Sequence, residues 1–425
     1  MNPKEVILIF DIGKTNKKLF LFDQTYSLIL EKSKQFTEIV DDDGFACEDI
    51  NALSTWILDS IATIQLNTTY KIKAIHYASY GASFVYLDAS GHIMAPLYNY
   101  LKPFKEPTKK SFENKYGSLE KISLDTASPF LGNLNSGLQL YALKNEKPEI
   151  FKKIKWALHL PQYIHYLITG ELSTDITSIG CHTMLWDFIH QSYHAWVKEE
   201  GLDKLFPPLK DANGLHDSSA ALIPYLSSFQ EPFILISTGT WSISLNPFNF
   251  DALTVNEMKQ DVLFYLSYTG RPVKASRLFI GREHERGIEK LNSYFHKPAK
   301  YYTSVKFNAS ILLNNNFNIE DLSSYSDYET AYHNLVAMLV QKQIISTNLI
   351  LSNCSVKRIF VDGGFSQNEI FMHLLAVSYS YNEIFAATIP QASSLGAALA
   401  VHKKWNSHTL PHNLISLKFY AKKIL

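Results

Sequence analysis

The sequence predicts a mixed α/β protein built of two similar halves with a ligand cleft between them. Three observations carry that prediction. A continuous apolar run, Val6-Ile7-Leu8-Ile9-Phe10, enters a short polar turn at Gly13 and leaves it as Leu19-Phe20-Leu21-Phe22. The pattern returns at Phe233-Ile234-Leu235-Ile236-Ser237-Thr238-Gly239-Thr240-Trp241-Ser242-Ile243. Between and beyond these hairpins, apolar residues recur at helical spacing, Leu53, Trp56, Ile57 and Ile61 among them. Apolar runs without alternation fit strands buried on both faces, and interleaved helices supply the covering layers. At 425 residues the chain exceeds what one core usually supports, so the halves are expected as domains of residues 1–228 and 229–425.

Each element follows in order. A third strand is expected over residues 31–39, then an acidic turn at Asp41-Asp42-Asp43-Gly44 and a helix over 47–63. Residues 73–80 read as a buried strand ending in Tyr80-Gly81-Ala82-Ser83, and 84–88 as another. A strand that stops at small residues is a common ligand site in an open α/β sheet, although Gly81 taken alone reads first as a bend. Residues 108–168 read as mostly helical, including the apolar stretch at 151–160. A helix follows at 160–171, opened by Pro161 and closed by Gly170. Gly214-Leu215-His216-Asp217-Ser218 sets a His-Asp pair at the start of a helix, where Asp217 on local pattern alone is favoured as a cap. Val361-Asp362-Gly363-Gly364-Phe365-Ser366-Gln367-Asn368 follows a strand and opens a helix over 369–377, a seat for phosphate or nucleotide. The small-residue helix at 392–400 implies very close packing.

Composition narrows the functional classes. Hydrophobic residues make up 46% of the chain and charged residues 19%, which excludes disorder. Lys+Arg and Asp+Glu number 40 each, so the charge balance recommends neither nucleic acid nor an anionic membrane as partner. Cys47, Cys181 and Cys354 are far apart in sequence, and neither a disulfide framework nor a zinc site has its spacing, which fits a reducing cytoplasm. No signal-peptide pattern follows Met1, and no stretch is long and apolar enough to span a bilayer. The 24 tyrosines, Tyr301 and Tyr302 among them, suit large buried or interface area, and a homodimer is compatible with that.

The first turn carries the densest chemistry. Gly13 lets backbone approach an anion, Thr15 and Asn16 offer donors, and Lys14, Lys17 and Lys18 bring positive charge. Asp11 ends the entering strand, where a carboxylate makes sense if Mg2+ sits between it and a phosphate. The competing reading is an ordinary exposed hairpin with lysines on its tip.

Taken together and in order, the turns resemble the FGGY family of carbohydrate kinases, in the ASKHA superfamily, over essentially the whole chain. Asp11-Ile12-Gly13-Lys14-Thr15-Asn16-Lys17-Lys18 is similar to the family's first phosphate loop and Ser237-Thr238-Gly239-Thr240-Trp241-Ser242 to its second. The turn at 361–368 is similar to the adenosine motif, and Ser394-Leu395-Gly396-Ala397-Ala398 to the closing helix. His216-Asp217 and Gly239-Thr240-Trp241-Ser242 look most like the rhamnulokinase and L-fuculokinase branches. The resemblance implies two ribonuclease-H-like (actin/hexokinase-type) domains around a central cleft. It also implies ATP-dependent phosphorylation of a sugar hydroxyl, in which Asp217 is the base and Asp11 holds Mg2+. Gly13, Lys14, Thr15, Asn16, Lys18, Gly239 and Thr240 would face phosphates, and Gly363, Gly364 and Asn368 the adenosine. Tyr80, Gly81, Ala82, His216 and Asp217 would contact the sugar.

Two departures stand out: Lys14 replaces the family's usual Thr and Lys18 its usual Arg, and the chain is shorter than is typical. The rival readings are a non-catalytic sugar- or nucleotide-binding regulator of the same fold, and a kinase for a pentulose or polyol. Against the regulator stands the retained carboxylate at Asp217, and against a small polyol a pocket lined by His216, Tyr80 and Trp241. Gly281-Arg282-Glu283-His284-Glu285-Arg286 reads as a solvated helix face, the alternative being a Gly-Arg-Glu element near the sugar or lid like that of the rhamnulokinase branch. His159, His165 and His190 read as satisfied core or surface histidines.

Overall fold

The computed structural model describes residues 3–311, 313, 317–351, 355–389 and 391–421; Cys354 lies outside the described residues. β1 (Lys4–Ile12), β2 (Lys17–Asp23) and β3 (Leu28–Lys34) form an antiparallel meander. After α1 (Ile50–Gln65) the chain returns as β4 (Tyr70–Ser79), parallel to β1 on its other side. β5 (Phe84–Leu87) pairs antiparallel with β6 (Trp156–His159) outside the main sheet, and α2 (Leu160–Thr169) follows. β7 (Leu215–His216) then closes the sheet in the order β7-β4-β1-β2-β3.

α3 (Asp217–Ser228) leads into the second sheet. β8 (Phe233–Thr238), β9 (Ser242–Asn246), β10 (Val262–Leu266) and β11 (Pro272–Leu278) come first, followed by α4 (Ile280–Tyr294) and the long α5 (Tyr328–Leu351). β12 (Arg358–Gly363) runs parallel to β8, and after α6 (Glu369–Ser378) β13 (Glu383–Thr388) runs parallel to β12. α7 (Ala392–Ala400) and β14 (Ser416–Tyr420) complete the chain, and the strand order is β10-β11-β9-β8-β12-β13-β14. Its inner strands β11-β9-β8-β12-β13 repeat the order and directions of β3-β2-β1-β4-β7. The architecture is therefore the duplicated actin/hexokinase-type α/β fold, with β10 and β14 added at the edges.

The apolar runs of β1 and β8 are explained by what covers them. Val6, Leu8, Phe10 and Ile12 pack on Leu53, Ile57 and Ile61 of α1, whereas Ile7 and Ile9 face Leu395, Ala398 and Leu399 of α7. In β8, Ile234 and Ile236 face Leu335 and Leu339 of α5, and Phe233 and Leu235 face Leu222 and Tyr225 of α3. Successive side chains point to opposite faces, so a strand covered on both sides has no polar position. α3 also packs on the first sheet through Ala220 and Ile223, and α7 lies on that sheet although it follows the second. These two helices join the halves.

Three expected elements differ in type or bounds. The third strand begins at Leu28 rather than 31 and is mostly exposed, so no apolar run marks it. The apolar stretch at 151–160 holds β6 rather than a helix face, because a short apolar run carries no period to tell strand from helix. Asp49 moves the start of α1 to Ile50 by accepting from the backbone amides of Asn51 and Ala52, each at 3.0 Å. Among the described residues, no helix is long and apolar enough to cross a membrane.

Candidate functional site

Two carboxylates converge where the halves meet. Asp11 sits near the end of β1, and its Oδ2 accepts hydrogen bonds from the hydroxyls of Ser393 and Ser394, the latter at 2.8 Å, in the first turn of α7. Burial raises its pKa; the two serine hydroxyls oppose the rise, Asp217 adds to it and Lys18 eases it. Asp217 opens α3, and its Oδ1 accepts from the Ser218 backbone amide at 2.6 Å and lies 3.4 Å from His216 Nε2. Its side chain is 37% exposed, so the carboxylate is oriented yet reachable.

The wall beside Asp217 comes from both halves. A Cβ on Gly81 would lie 3.0 Å from His216 Cδ2 and 3.1 Å from Cys181 Sγ, so only glycine leaves the present gap. Ala82 follows at φ +67, a left-handed backbone that alanine seldom adopts. Tyr265 of β10 packs its ring on His216 and His182 at 5.5 and 6.2 Å. Arg277 of β11 grips Asp261 with two hydrogen bonds, at 2.7 and 3.1 Å, beneath the ring of Trp241. Tyr100 lies against Tyr80, its pKa pushed up to about 12 by burial, with Asp217 adding. Tyr100, Cys181, His182, Tyr265 and Arg277 carried no sequence signal as site residues.

A cavity of about 480 Å³ opens in the second half, lined by Gly239, Gly281, His284, Gly364, Gln367 and Asn368 among others. Asn368 caps α6 through Oδ1, which accepts from the Phe371 amide at 3.0 Å, and donates Nδ2 to the Tyr332 hydroxyl at 2.8 Å. His284 also meets that hydroxyl, at 3.0 Å, and burial drops its pKa to about 4. The solvated-face reading of 281–286 holds for Arg282, Glu285 and Arg286, which are exposed, but not for Gly281 or His284. A Cβ on Gly281 would meet the Gly239 carbonyl oxygen at 2.0 Å, so α4 starts directly on the second hairpin turn.

The other sequence-derived candidates have the following surroundings. Tyr80 donates its hydroxyl to Glu48 Oε2 at 2.7 Å, so that group is spent inside the protein. Lys14 pairs with Glu38 at 3.0 Å and lines a small separate pocket with Lys17 and Glu48. Lys18 reaches Glu31 at 3.2 Å and Gln391 at 3.3 Å. Thr15 and Asn16 are exposed at the first turn, where Gly13 donates its amide to the Asn16 carbonyl at 3.0 Å; Thr240 is exposed at the second. Gly363, at φ +75, packs on the Thr238 carbonyl, where a Cβ would come within 1.8 Å. Its requirement is therefore backbone packing, while Gly364 lines the cavity.

Lys17 and Glu48 form a fully buried pair at 2.5 Å. Removing the lysine leaves a carboxylate stranded in the interior, so Lys17→Met is expected to destabilise the fold by about 3–5 kcal/mol. Urea unfolding reads this directly, and an unchanged midpoint would show the pair to be dispensable.

Asp362, at the end of β12, accepts from the Tyr225 hydroxyl at 3.3 Å, and burial raises its pKa to about 6. An unfolded aspartate titrates near 3.9 (about), so the folded chain keeps a proton that the unfolded chain loses between those values. The contribution of this group to stability therefore falls as pH rises from about 4 to about 6. Asp175, raised by burial to about 6, contributes in the same window. Asp362→Asn should remove its share of that fall and stabilise the protein at pH 7 by about 1–3 kcal/mol. Urea midpoints measured across that range test it, and a pH slope identical to wild type would refute it.

The FGGY family of carbohydrate kinases, N-terminal domain, matches residues 6–213, and the carbohydrate kinase FGGY, C-terminal domain, matches residues 230–318. The chain belongs to the FGGY family of carbohydrate kinases. Among its FGGY relatives, rhamnulokinase of Halalkalibacterium halodurans is 24% identical over 267 residues, 56% of this chain and 55% of the relative. L-fuculokinase of Escherichia coli K12 is 25% identical over 273 residues, 56% of each chain. The chain thus spans about half the length of the relatives it matches. A carbohydrate kinase structure from Novosphingobium aromaticivorans superposes with a TM-score of 0.78 at 20% identity, over 99% of this chain and 95% of that one. A ligand-bound xylulose kinase from Lactobacillus acidophilus gives 0.79 at 14% identity, over 99% and 94%. The FGGY fold accordingly extends over the whole chain.

Proposed function

We propose that this chain is an ATP-dependent kinase that phosphorylates a hydroxyl of a ketose of the L-rhamnulose or L-fuculose kind. The observation that carries the reading is Asp217, oriented by the Ser218 amide, reachable, and close enough to Asp11 for its charge to raise the pKa of that carboxyl at the junction of the halves. The similarity to rhamnulokinase and L-fuculokinase supports the sugar class.

Asp217 accepts the proton of the sugar hydroxyl as its oxygen attacks the γ-phosphorus of ATP, and ADP leaves. His216 beside Oδ1 and the Ser218 amide hold the carboxylate in place. The cavity between Gly239, Gly281, His284 and Gly364 seats the nucleotide, with glycines where backbone must approach closely. Asp11 suits Mg2+: it is desolvated, lies near a second carboxylate and makes no ion pair among the described residues. When bound, the ion neutralises charge on the phosphate oxygens. Closure of residues 1–228 on 229–425 about α3 and α7 excludes water, which would compete with the sugar. Free buried Cys47 and Cys181 suit a reducing cytoplasm.

The test is coupled ADP release with MgATP across a panel of ketoses and polyols. Turnover on a deoxyketose supports the reading. Turnover on a pentulose or polyol alone moves the chain to another branch, and nucleotide binding without any sugar-dependent ADP release overturns kinase activity.

A further inference from the structure

Among the described residues, one group unites thiol and imidazole donors. Cys181, His182 and His216 each offer one ligand atom, and these atoms all lie within 4.8 Å of one another. All three side chains are buried. Nδ1 of His182 and Nδ1 of His216 have no hydrogen-bond partner, and a buried polar atom left in that state implies a missing partner. All three residues belong to the first half and lie against the second: His216 ends β7, and the ring of His182 packs on Tyr265 of β10.

We propose that Cys181, His182 and His216 form a binding site for a zinc-class divalent ion, with a fourth coordination position left open. One thiolate and two imidazoles are the donor set that zinc takes with an exchangeable fourth ligand, and a borderline-soft N/S set disfavours Mg2+. Asp217 Oδ1, 3.4 Å from His216 Nε2, is placed to orient that imidazole as carboxylates do behind metal-bound histidines. Loading forms a metal–sulfur bond and releases the thiol proton to solvent, with no change in oxidation state. The cysteines are far apart in sequence, so cysteine spacing could not reveal a site whose other ligands are histidines. Resting on the proposed sugar site, a further consequence is that the bound ion and the sugar exclude one another.

Titration of the metal-free full chain with Co2+ tests the site. One equivalent is expected to give a thiolate-to-cobalt charge-transfer band that Zn2+ abolishes by displacement. Cys181→Ser should lose the band, and His182→Asn should weaken Co2+ binding at least about tenfold, the scale set by losing one ligand contact. A band that persists in Cys181→Ser, or no band in wild type with a native circular-dichroism spectrum, overturns the proposal; His182→Asn serves if the serine variant does not fold. In the coupled assay Zn2+ should raise the sugar KM without lowering kcat in wild type. If the cobalt band stands and the KM does not move, the site survives and the position assigned to the sugar fails.

Discussion

Asp217→Asn is expected to lower sugar-dependent ADP release by about 10²–10⁴-fold while leaving nucleotide affinity unchanged. Asparagine keeps the shape of the side chain, and its amide oxygen can still accept from the Ser218 amide that now holds Oδ1 at 2.6 Å. What it cannot do is take a proton from an attacking hydroxyl. The cavity proposed to seat the nucleotide is lined from the second half, by residues such as Gly239, Gly364 and Asn368, and Asp217 is not part of that lining. A parallel fall in nucleotide affinity would assign Asp217 to binding, and full activity would remove it from the chemistry. Loss of its charge also relieves Asp11, whose pKa Asp217 helps to raise, and a carboxyl-resolved titration should show that drop.

Gly396→Ala should produce a large loss of stability for a single added methyl group. A Cβ at that position would sit 1.8 Å from the Ala220 carbonyl oxygen and 2.6 Å from its carbon. Both are backbone atoms of α3, which packs on both sheets, and α7 lies against Ile7 and Ile9 of β1. Neither helix can withdraw without unpacking a core, so the variant is expected to lose about 3 kcal/mol or more. Gly364→Ala is the control, because nothing lies within 4 Å of its Cβ position. Urea midpoints for the two variants decide the point: a Gly396→Ala protein as stable as Gly364→Ala would mean that the helices are free to slide.

Much of the fold is legible without coordinates. β1 and β8 announce themselves because burial on both faces leaves no polar position in the run, and α2 because Pro161 and Gly170 mark its ends. β6 is not legible, since four residues carry no period. At the site, Asp217 is ambiguous locally, and the structure shows it both bonding a first-turn amide and standing reachable near Asp11. Ser393 and Ser394 read only as part of a tightly packed helix; they reach Asp11 across more than 380 residues of sequence.

By itself, then, the sequence determined the duplicated α/β plan, the positions of the glycine turns and the residue types gathered at them. Those features depend on neighbours a few residues apart, through alternation, helical period and the backbone freedom of glycine. Only the tertiary structure decided which polar groups are free and which are spent. Tyr80 is committed to Glu48, Lys14 to Glu38, and Gly281 to the backbone of Gly239. The same holds for the meeting of Cys181 and His182 with His216. Each such partner comes from a different segment of the chain, and hydrogen bonding and close packing act through space, where sequence spacing gives no distance.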